Sequence, residues 1–264
     1  MFFLSKYDIL FTNEYLYERK RKMYAIKTVG LTKKYGDIIA VNNLNLEIKN
    51  GEIFSLLGIN GAGKTTAIRM LTCLTKSTSG DAIIKGNSIN KDENKIKQII
   101  GVSPQETAIA PNLTVKENLE LICGLHGFKK AEKENRTKEL AEKFNLRDVL
   151  LRKAGKLSGG WQRRVSIAMA LISKPDILFL DEPTLGLDVI ARSELWDIIK
   201  ALRTETTVIL TTHYMEEAEA LSDRIGIISN GKLLVVGTAD ELKEMTNQDK
   251  FENAFVSIVK GDIQ

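Results

Sequence analysis

The stretch Gly58-Ile59-Asn60-Gly61-Ala62-Gly63-Lys64-Thr65-Thr66 has the residue types and spacing of a phosphate cradle. Its glycines let the backbone turn tightly enough for successive N–H groups to converge on an anion, and a helix starting near Lys64 adds the positive end of its dipole. Lys64 offers a point charge to the terminal phosphates, and the Thr65 hydroxyl is an oxygen ligand of the kind Mg²⁺ accepts beside water. The apolar run Ile53-Phe54-Ser55-Leu56-Leu57 comes immediately before, so strand, glycine turn and helix occur in the required order. A glycine-rich turn with a chance lysine is the alternative, and the flanking strand and helix weigh against it. The pattern predicts binding of a nucleoside triphosphate.

Two further segments could do chemistry beside that cradle. Ile177-Leu178-Phe179-Leu180-Asp181-Glu182 places two carboxylates at the C-terminal end of an apolar strand, the edge where open α/β sheets bind ligands. Asp181 can hold Mg²⁺ directly or through water, and Glu182 is then free to polarise an attacking water. Taken alone, these six residues also fit a paired acidic turn. Leu157-Ser158-Gly159-Gly160-Trp161-Gln162 opens a helix expected from about Trp161 to Ser173. Its start offers free N–H groups to an anion, although an ordinary serine cap reads the same way. Of the two histidines, His213 follows the strand Val208-Ile209-Leu210 and falls at the same sheet edge as Asp181, whereas His126 reads as a helical surface or interface residue.

The elements that must position these groups follow from periodicity. Ala25 to Thr32, Ile38 to Val41 and Leu44 to Ile48 read as strands, the last alternating Leu44, Leu46 and Ile48 with polar neighbours. After the Asn50-Gly51 turn come the strand Ile53–Leu57, a helix from Lys64 to about Thr75, and a strand pair around Asp81 to Ile84. From Val115 to about Phe144 the pattern is helical, with the charged run Lys129 to Lys143 expected on solvated faces. Ile177–Leu180, Val208–Leu210 and Ile225–Ile228 read as buried parallel strands. Asn230-Gly231 marks a hairpin, Thr238 with Glu241 a capping box, and the tail from Phe251 a strand or short helix. An α/β fold with a mainly parallel sheet is expected.

Composition narrows the setting. The 38 Lys+Arg against 34 Asp+Glu leave +4, too small and too evenly spread for a nucleic-acid footprint, so no nucleic-acid partner is expected. Cys73 and Cys123 lack metal-ligand spacing and read as small apolar residues in a reducing compartment, which points to the cytoplasm. No run approaches the roughly 18 to 20 apolar residues of a membrane-spanning helix. Residues 1–22 end in Arg19-Lys20-Arg21-Lys22 just before Met23 and fit no secretory signal. They read as a loosely attached extension or an over-called start, with an amphipathic membrane-contacting segment as the alternative.

Leu157-Ser158-Gly159-Gly160, lying between a phosphate loop and an Ile-Leu-Phe-Leu-Asp-Glu strand, resembles the signature of ATP-binding cassette (ABC) ATPases, and the likeness covers roughly residues 24 to 237. It implies a P-loop NTPase core with an N-terminal antiparallel β subdomain, an inserted α-helical subdomain at about 106–172, and a C-terminal segment over 238–264. It also implies ATP and Mg²⁺ as cofactors, with Gly58 through Thr66 around the phosphates. Two nucleotides would lie between two chains, in a homodimer or a heterodimer of ATPases, each Ser158, Gly159 and Gly160 meeting the γ-phosphate held by the other chain. Tyr35 resembles the aromatic that stacks on adenine, with Val41 beside the base. An exposed tyrosine at a strand end is the other reading of Tyr35. Gln105 resembles the glutamine that reaches Mg²⁺ and the attacking water, and whose loop links the core to the helical region. Asp188, closing Leu185-Gly186-Leu187-Asp188, is similar to the loop between the two sites. His213 resembles the switch histidine that contacts the γ-phosphate.

Trp161 and Leu185 depart from the family's common glutamine and serine; the first leaves only backbone donors at the signature, and the second reads as a packing change. One cassette without a long heptad tract favours a transport engine at the inner face of the cell membrane, driving a separate permease, over a soluble ATPase acting on ribosomes or DNA. Pro111 to Leu119, Met215 to Glu219 and Phe251 to Phe255 resemble the subgroup that exports drugs, antibiotics, lipids or sodium.

Overall fold

The computed structural model describes residues 24–261. The expected extension over residues 1–22 lies outside them. Two sheets, nine α-helices and three short 3₁₀ helices make up the regular structure of the described residues. In the first sheet, β1 (Tyr24–Tyr35) pairs antiparallel with β2 (Ile38–Leu44), β3 (Glu47–Lys49) and β5 (Ser79–Ile84), and β6 (Asn87–Ser88) extends it from β5. The expected alternation is present, with Leu44, Leu46 and Ile48 buried. However, the strand expected over Leu44–Ile48 is divided between β2 and β3. At the break the Thr28 hydroxyl donates to the Leu44 carbonyl (2.8 Å) and accepts from the Leu46 N–H (2.8 Å), replacing a ladder bond with a side chain.

The second sheet runs β11 (Lys232–Gly237), β10 (Arg224–Ser229), β4 (Ile53–Leu57), β9 (Thr207–Thr212), β8 (Ile177–Asp181), β7 (Ile100–Ser103). It is parallel except for β11, which returns through the Asn230-Gly231 turn with both residues at positive φ (49° and 75°), as a two-residue hairpin of that type requires. The apolar runs β4 and β8 are buried along their whole length, as a sheet covered on both faces demands. Register is what builds the site. Leu57 pairs with Thr212 and Asp181 with Thr211, so the chain leaves β4, β8 and β9 at one level, placing Gly58, Glu182 and His213 side by side.

The helices are α1 (Lys64–Leu71), α2 (Glu93–Ile99), α3 (Val115–Leu125), α4 (Lys130–Lys143), α5 (Gly159–Ala170), α6 (Val189–Ala201), α7 (Met215–Leu221), α8 (Ala239–Met245) and α9 (Phe251–Lys260). Several differ from expectation. Helix α1 stops short of Thr75 because Cys73 turns left-handed (φ 56°). The helical stretch from Val115 to Phe144 is two helices, separated where Gly127 takes φ 75°. Helix α5 begins at Gly159 and ends at Ala170 rather than spanning Trp161 to Ser173. The tail resolves as a helix whose Phe251, Phe255 and Ile258 pack with Leu57, Ala218 and Ile227. The charged run in α4 is mostly exposed, but Arg136 is buried and donates to the carbonyls of Leu171 and Ile172 (Nε to Ile172 O, 3.1 Å), satisfying the end of α5. Cys123 is buried and Cys73 half-buried, and both are free thiols.

Between β7 and α3 the chain is held by the fully buried Asn118. Its carboxamide accepts from the Ala110 N–H (2.7 Å) and donates to the carbonyls of Ala110 (3.1 Å) and Thr114 (2.9 Å). Replacing it with an isosteric apolar group strands those backbone partners. Asn118→Leu is therefore expected to lower the unfolding free energy by about 2 kcal/mol, read from the urea midpoint at constant m.

Candidate functional site

The phosphate loop follows β4 as a strand–turn–helix. Gly61 and Gly63 both take positive φ (81° and 106°), and Gly63 is the N-cap residue of α1, whose first turn carries no acidic residue to compete for an anion. Two positions admit only glycine. A Cβ at Gly63 would lie 2.4 Å from the Ala40 carbonyl, and one at Gly58 2.4 Å from that of Ile228. The loop opens on a cleft of about 400 Å³ lined by Asn60 to Thr66 together with Ala40, Gln105, Glu182, Leu185 and His213.

The buried Lys64 ammonium donates to the carbonyls of Gly58 (2.7 Å) and Ile59 (3.2 Å) and pairs with Glu182 Oε1 at 3.2 Å. The other Glu182 oxygen meets His213 Nδ1 at 2.6 Å. A continuous polar chain thus runs from the phosphate loop through the acid of β8 to the histidine of β9. Glu182 itself is left-handed (φ 50°), an unfavourable conformation for a residue with a Cβ, and its N–H donates to the carbonyl (3.2 Å) and hydroxyl (3.1 Å) of Thr211. That turn swings the carboxylate back over the loop. Asp181 meets the next residue of the loop: its Oδ1 accepts from Thr65 Oγ1 (3.2 Å) and Thr211 Oγ1 (2.5 Å).

The hard oxygen donors Thr65 and Asp181, in contact at the start of α1, fit a Mg²⁺ ion. The described residues contain no cluster of three His, Cys, Asp or Glu side chains that could hold a metal. Two protein oxygens leave the rest of the shell to nucleotide and water, as Mg²⁺ favours.

The remaining expected residues fall in two places. Gln105 is exposed and lines the cleft, while its carbonyl accepts from Arg163 of α5 (2.5 Å), which also donates to the Pro104 carbonyl (2.6 Å). Burial lowers the Arg163 pKa, and the charges of Asp181 and Glu217 oppose the shift. Ser158, Gly159 and Gly160 begin α5 away from the cleft; Ser158 and Gly159 are exposed, and the Ser158 side chain caps no N–H of its own helix. Asp188 accepts from the Ala191 N–H (2.9 Å) and caps α6. Tyr35 is half-exposed at the end of β1, with the Lys33 ammonium 4.9 Å from its ring centre. Val41 is corrected: it is fully buried in the core, and its neighbour Ala40 lines the cleft. Leu185, expected as a packing change, is exposed at the cleft. Trp161 lies beneath the Arg164 guanidinium (4.8 Å) against the helical core.

Sequence reasoning passed over Thr211, Arg163 and Glu217. Thr211 and Arg163 sit within an apolar strand and a polar helix start, where neither stands out. Glu217 carried a readable signal, because it lies one helical turn before the buried Leu221, on the face that must enter the core.

Residues 41–185 match the family model described as ABC transporter. The chain belongs to the ABC transporter family. It is 38% identical over 240 residues to the probable multidrug ABC transporter ATP-binding protein YbhF of Escherichia coli (strain K12), a match covering 89% of this chain and 41% of that protein, so the chain spans about two fifths of YbhF. It is 40% identical over 229 residues to the daunorubicin resistance ATP-binding protein DrrA3 of Streptomyces coeruleorubidus, covering 86% of this chain and 72% of that one. The ATP-binding cassette MJ0796, solved as a dimer in a post-hydrolysis state with ADP and Pi, superposes with a TM-score of 0.73 at 32% identity, covering 81% of this chain and 98% of that chain. As an ABC family member, this chain carries its Lys64–Glu182–His213 chain inside a P-loop fold shared with that cassette. Lys64→Ala is expected to weaken ATP binding by about tenfold or more, measured by fluorescent-nucleotide titration, because a charge-assisted contact to phosphate is lost.

Proposed function

We propose that this chain is the ATP-hydrolysing subunit of an ABC exporter, acting as a dimer with a separate membrane permease. The observation that carries the proposal is the Lys64–Glu182–His213 chain at the mouth of the phosphate loop. ATP brings anionic oxygens that compete with Glu182 for the Lys64 ammonium. Glu182, released from that pair and still oriented by His213, accepts a proton from the water that attacks the γ-phosphorus. The bond from that phosphorus to the β–γ bridging oxygen breaks, giving ADP and phosphate. Gln105 lines the same cleft and is positioned to orient that water. Mg²⁺, held by Thr65 and Asp181, would neutralise charge on the β- and γ-phosphates.

A second chain is needed because Ser158 to Gly160 offer free helix-start donors but do not line their own chain's cleft. The face presenting Asp188 also exposes Leu185, Val189 and Ile190, at 36%, 78% and 72% relative accessibility, an apolar group suited to burial against a partner. The dimeric MJ0796 cassette supports this arrangement.

No described helix is long and apolar enough to cross a membrane; in this reading a separate permease carries the substrate, and this chain is peripheral to it on the cytoplasmic face. The resistance names of the relatives support export of a drug-like molecule over work on ribosomes or DNA. The Arg163 bonds tie the Gln105 loop to α5, giving helical movements a rigid route to the site. Glu182→Gln is expected to retain ATP binding, lower turnover by about a hundredfold or more, and trap an ATP-bound dimer visible by sedimentation. Wild-type turnover in that variant would remove Glu182 from the general-base role.

A further inference from the structure

Beneath the Glu182–His213 contact lies a carboxyl group that the hydrolysis described above leaves without a task. Glu217, in the first turn of α7, is fully buried and does not line the cleft. Its Oε1 accepts from the Thr184 hydroxyl (2.8 Å) and the Trp196 indole N–H (3.3 Å), while Oε2 is buried without a hydrogen-bond partner among the described residues. Each of these residues belongs to a different segment of the site. Thr184 is two residues after Glu182, in the turn that begins left-handed. Trp196 is on α6, the helix that Asp188 caps. Glu217 is four residues after His213, on the helix that continues from the end of β9.

Carboxyl groups are almost never fully buried without a specific partner. Here burial drives the Glu217 pKa upward, Glu182 pushes in the same direction, and the hydrogen bonds of Thr184 and Trp196 oppose it. An apolar residue at this position would bury α7 equally well, but would join none of these segments.

We propose that Glu217 is a positioning residue for ATP hydrolysis, tying the turn after Glu182, the helix after His213 and the helix capped by Asp188 into one unit through Thr184 and Trp196. Glu182 and His213 directly follow separate strands, and their 2.6 Å contact depends on the two segments they begin keeping register. Glu217 supplies the direct side-chain link between those segments. Movement of Asp188 against a second chain then reaches the catalytic pair through Trp196 and this carboxyl. The inference rests on the hydrolytic reading above.

The test compares Glu217→Gln, Glu217→Ala and Trp196→Phe in the purified chain, measuring kcat, KM for ATP, nucleotide affinity and thermal unfolding, with Glu182→Gln alongside. The glutamine keeps a carbonyl acceptor where Oε1 stands, so kcat should remain within about twofold of wild type. The alanine strands both donors and should lower kcat by about tenfold or more with nucleotide affinity within about twofold. Trp196→Phe removes one donor and should lower kcat in the same sense by a smaller factor. Wild-type kcat in Glu217→Ala overturns the proposal. So does a parallel loss of kcat, affinity and folding in Glu217→Ala that Glu217→Gln fails to rescue. Undiminished hydrolysis by Glu182→Gln would instead remove the hydrolytic reading, and this inference with it.

Discussion

A buried charge must find a counter-charge, and that constraint organises the site. Lys64 is enclosed by the loop it serves, so its ammonium takes two carbonyls and the Glu182 carboxylate as partners. An unpaired ion there would cost several kcal/mol, roughly what removing one partner of a buried pair costs elsewhere. The pairing fixes the Glu182 carboxylate between the Lys64 ammonium and the His213 ring. In the proposed mechanism a triphosphate displaces that carboxylate from the ammonium, so that nucleotide binding and release of the proposed base would be one exchange. The positive φ of Glu182 keeps its carboxylate over the loop for that exchange, while Asp181, one residue earlier, faces Thr65.

The parallel sheet turns this local chemistry into a fixed arrangement. Three strands leave their ladders at one level, and each contributes one group: the glycine loop from β4, the carboxylates from β8 and the histidine from β9. The helical region meets this edge through α5. Its Arg163 holds the carbonyls on either side of the Pro104–Gln105 link, and Ser166 meets Ser103 at the end of β7 (3.0 Å). Displacement of the signature end of α5 therefore reaches the Gln105 loop through short, buried contacts rather than through a flexible linker.

Much of this was legible in the sequence. The order strand, glycine turn and helix placed Gly58 to Thr66, and the apolar run ending in Asp181-Glu182 placed the carboxylates, because both patterns are local and tightly constrained. Periodicity also located β4, β8, β9, β10 and the Asn230-Gly231 hairpin. What escaped was decided by tertiary contact. The division of Leu44–Ile48 depends on the Thr28 hydroxyl, sixteen residues or more away in sequence. The role of Arg136 depends on carbonyls of a helix that follows later, and a charged run gives no hint of it. Val41 and Ala40 exchanged places relative to the cleft because strand alternation sends one into the core and leaves its neighbour at the opening. Glu217 entered the sequence reading only within Met215 to Glu219, as a likeness to the exporter subgroup, and its spacing from Leu221 was the local sign of burial.

Exposed signature residues on one edge, and a phosphate cleft lacking them on another, make sense if two chains complete each other's sites. Hydrolysis per chain, measured across a wide range of chain concentration with sedimentation in parallel, tests this directly. If the second chain completes the site, activity per chain rises with concentration and follows the population of the ATP-bound dimer. Constant activity per chain, down to concentrations at which only monomer sediments, would contradict it.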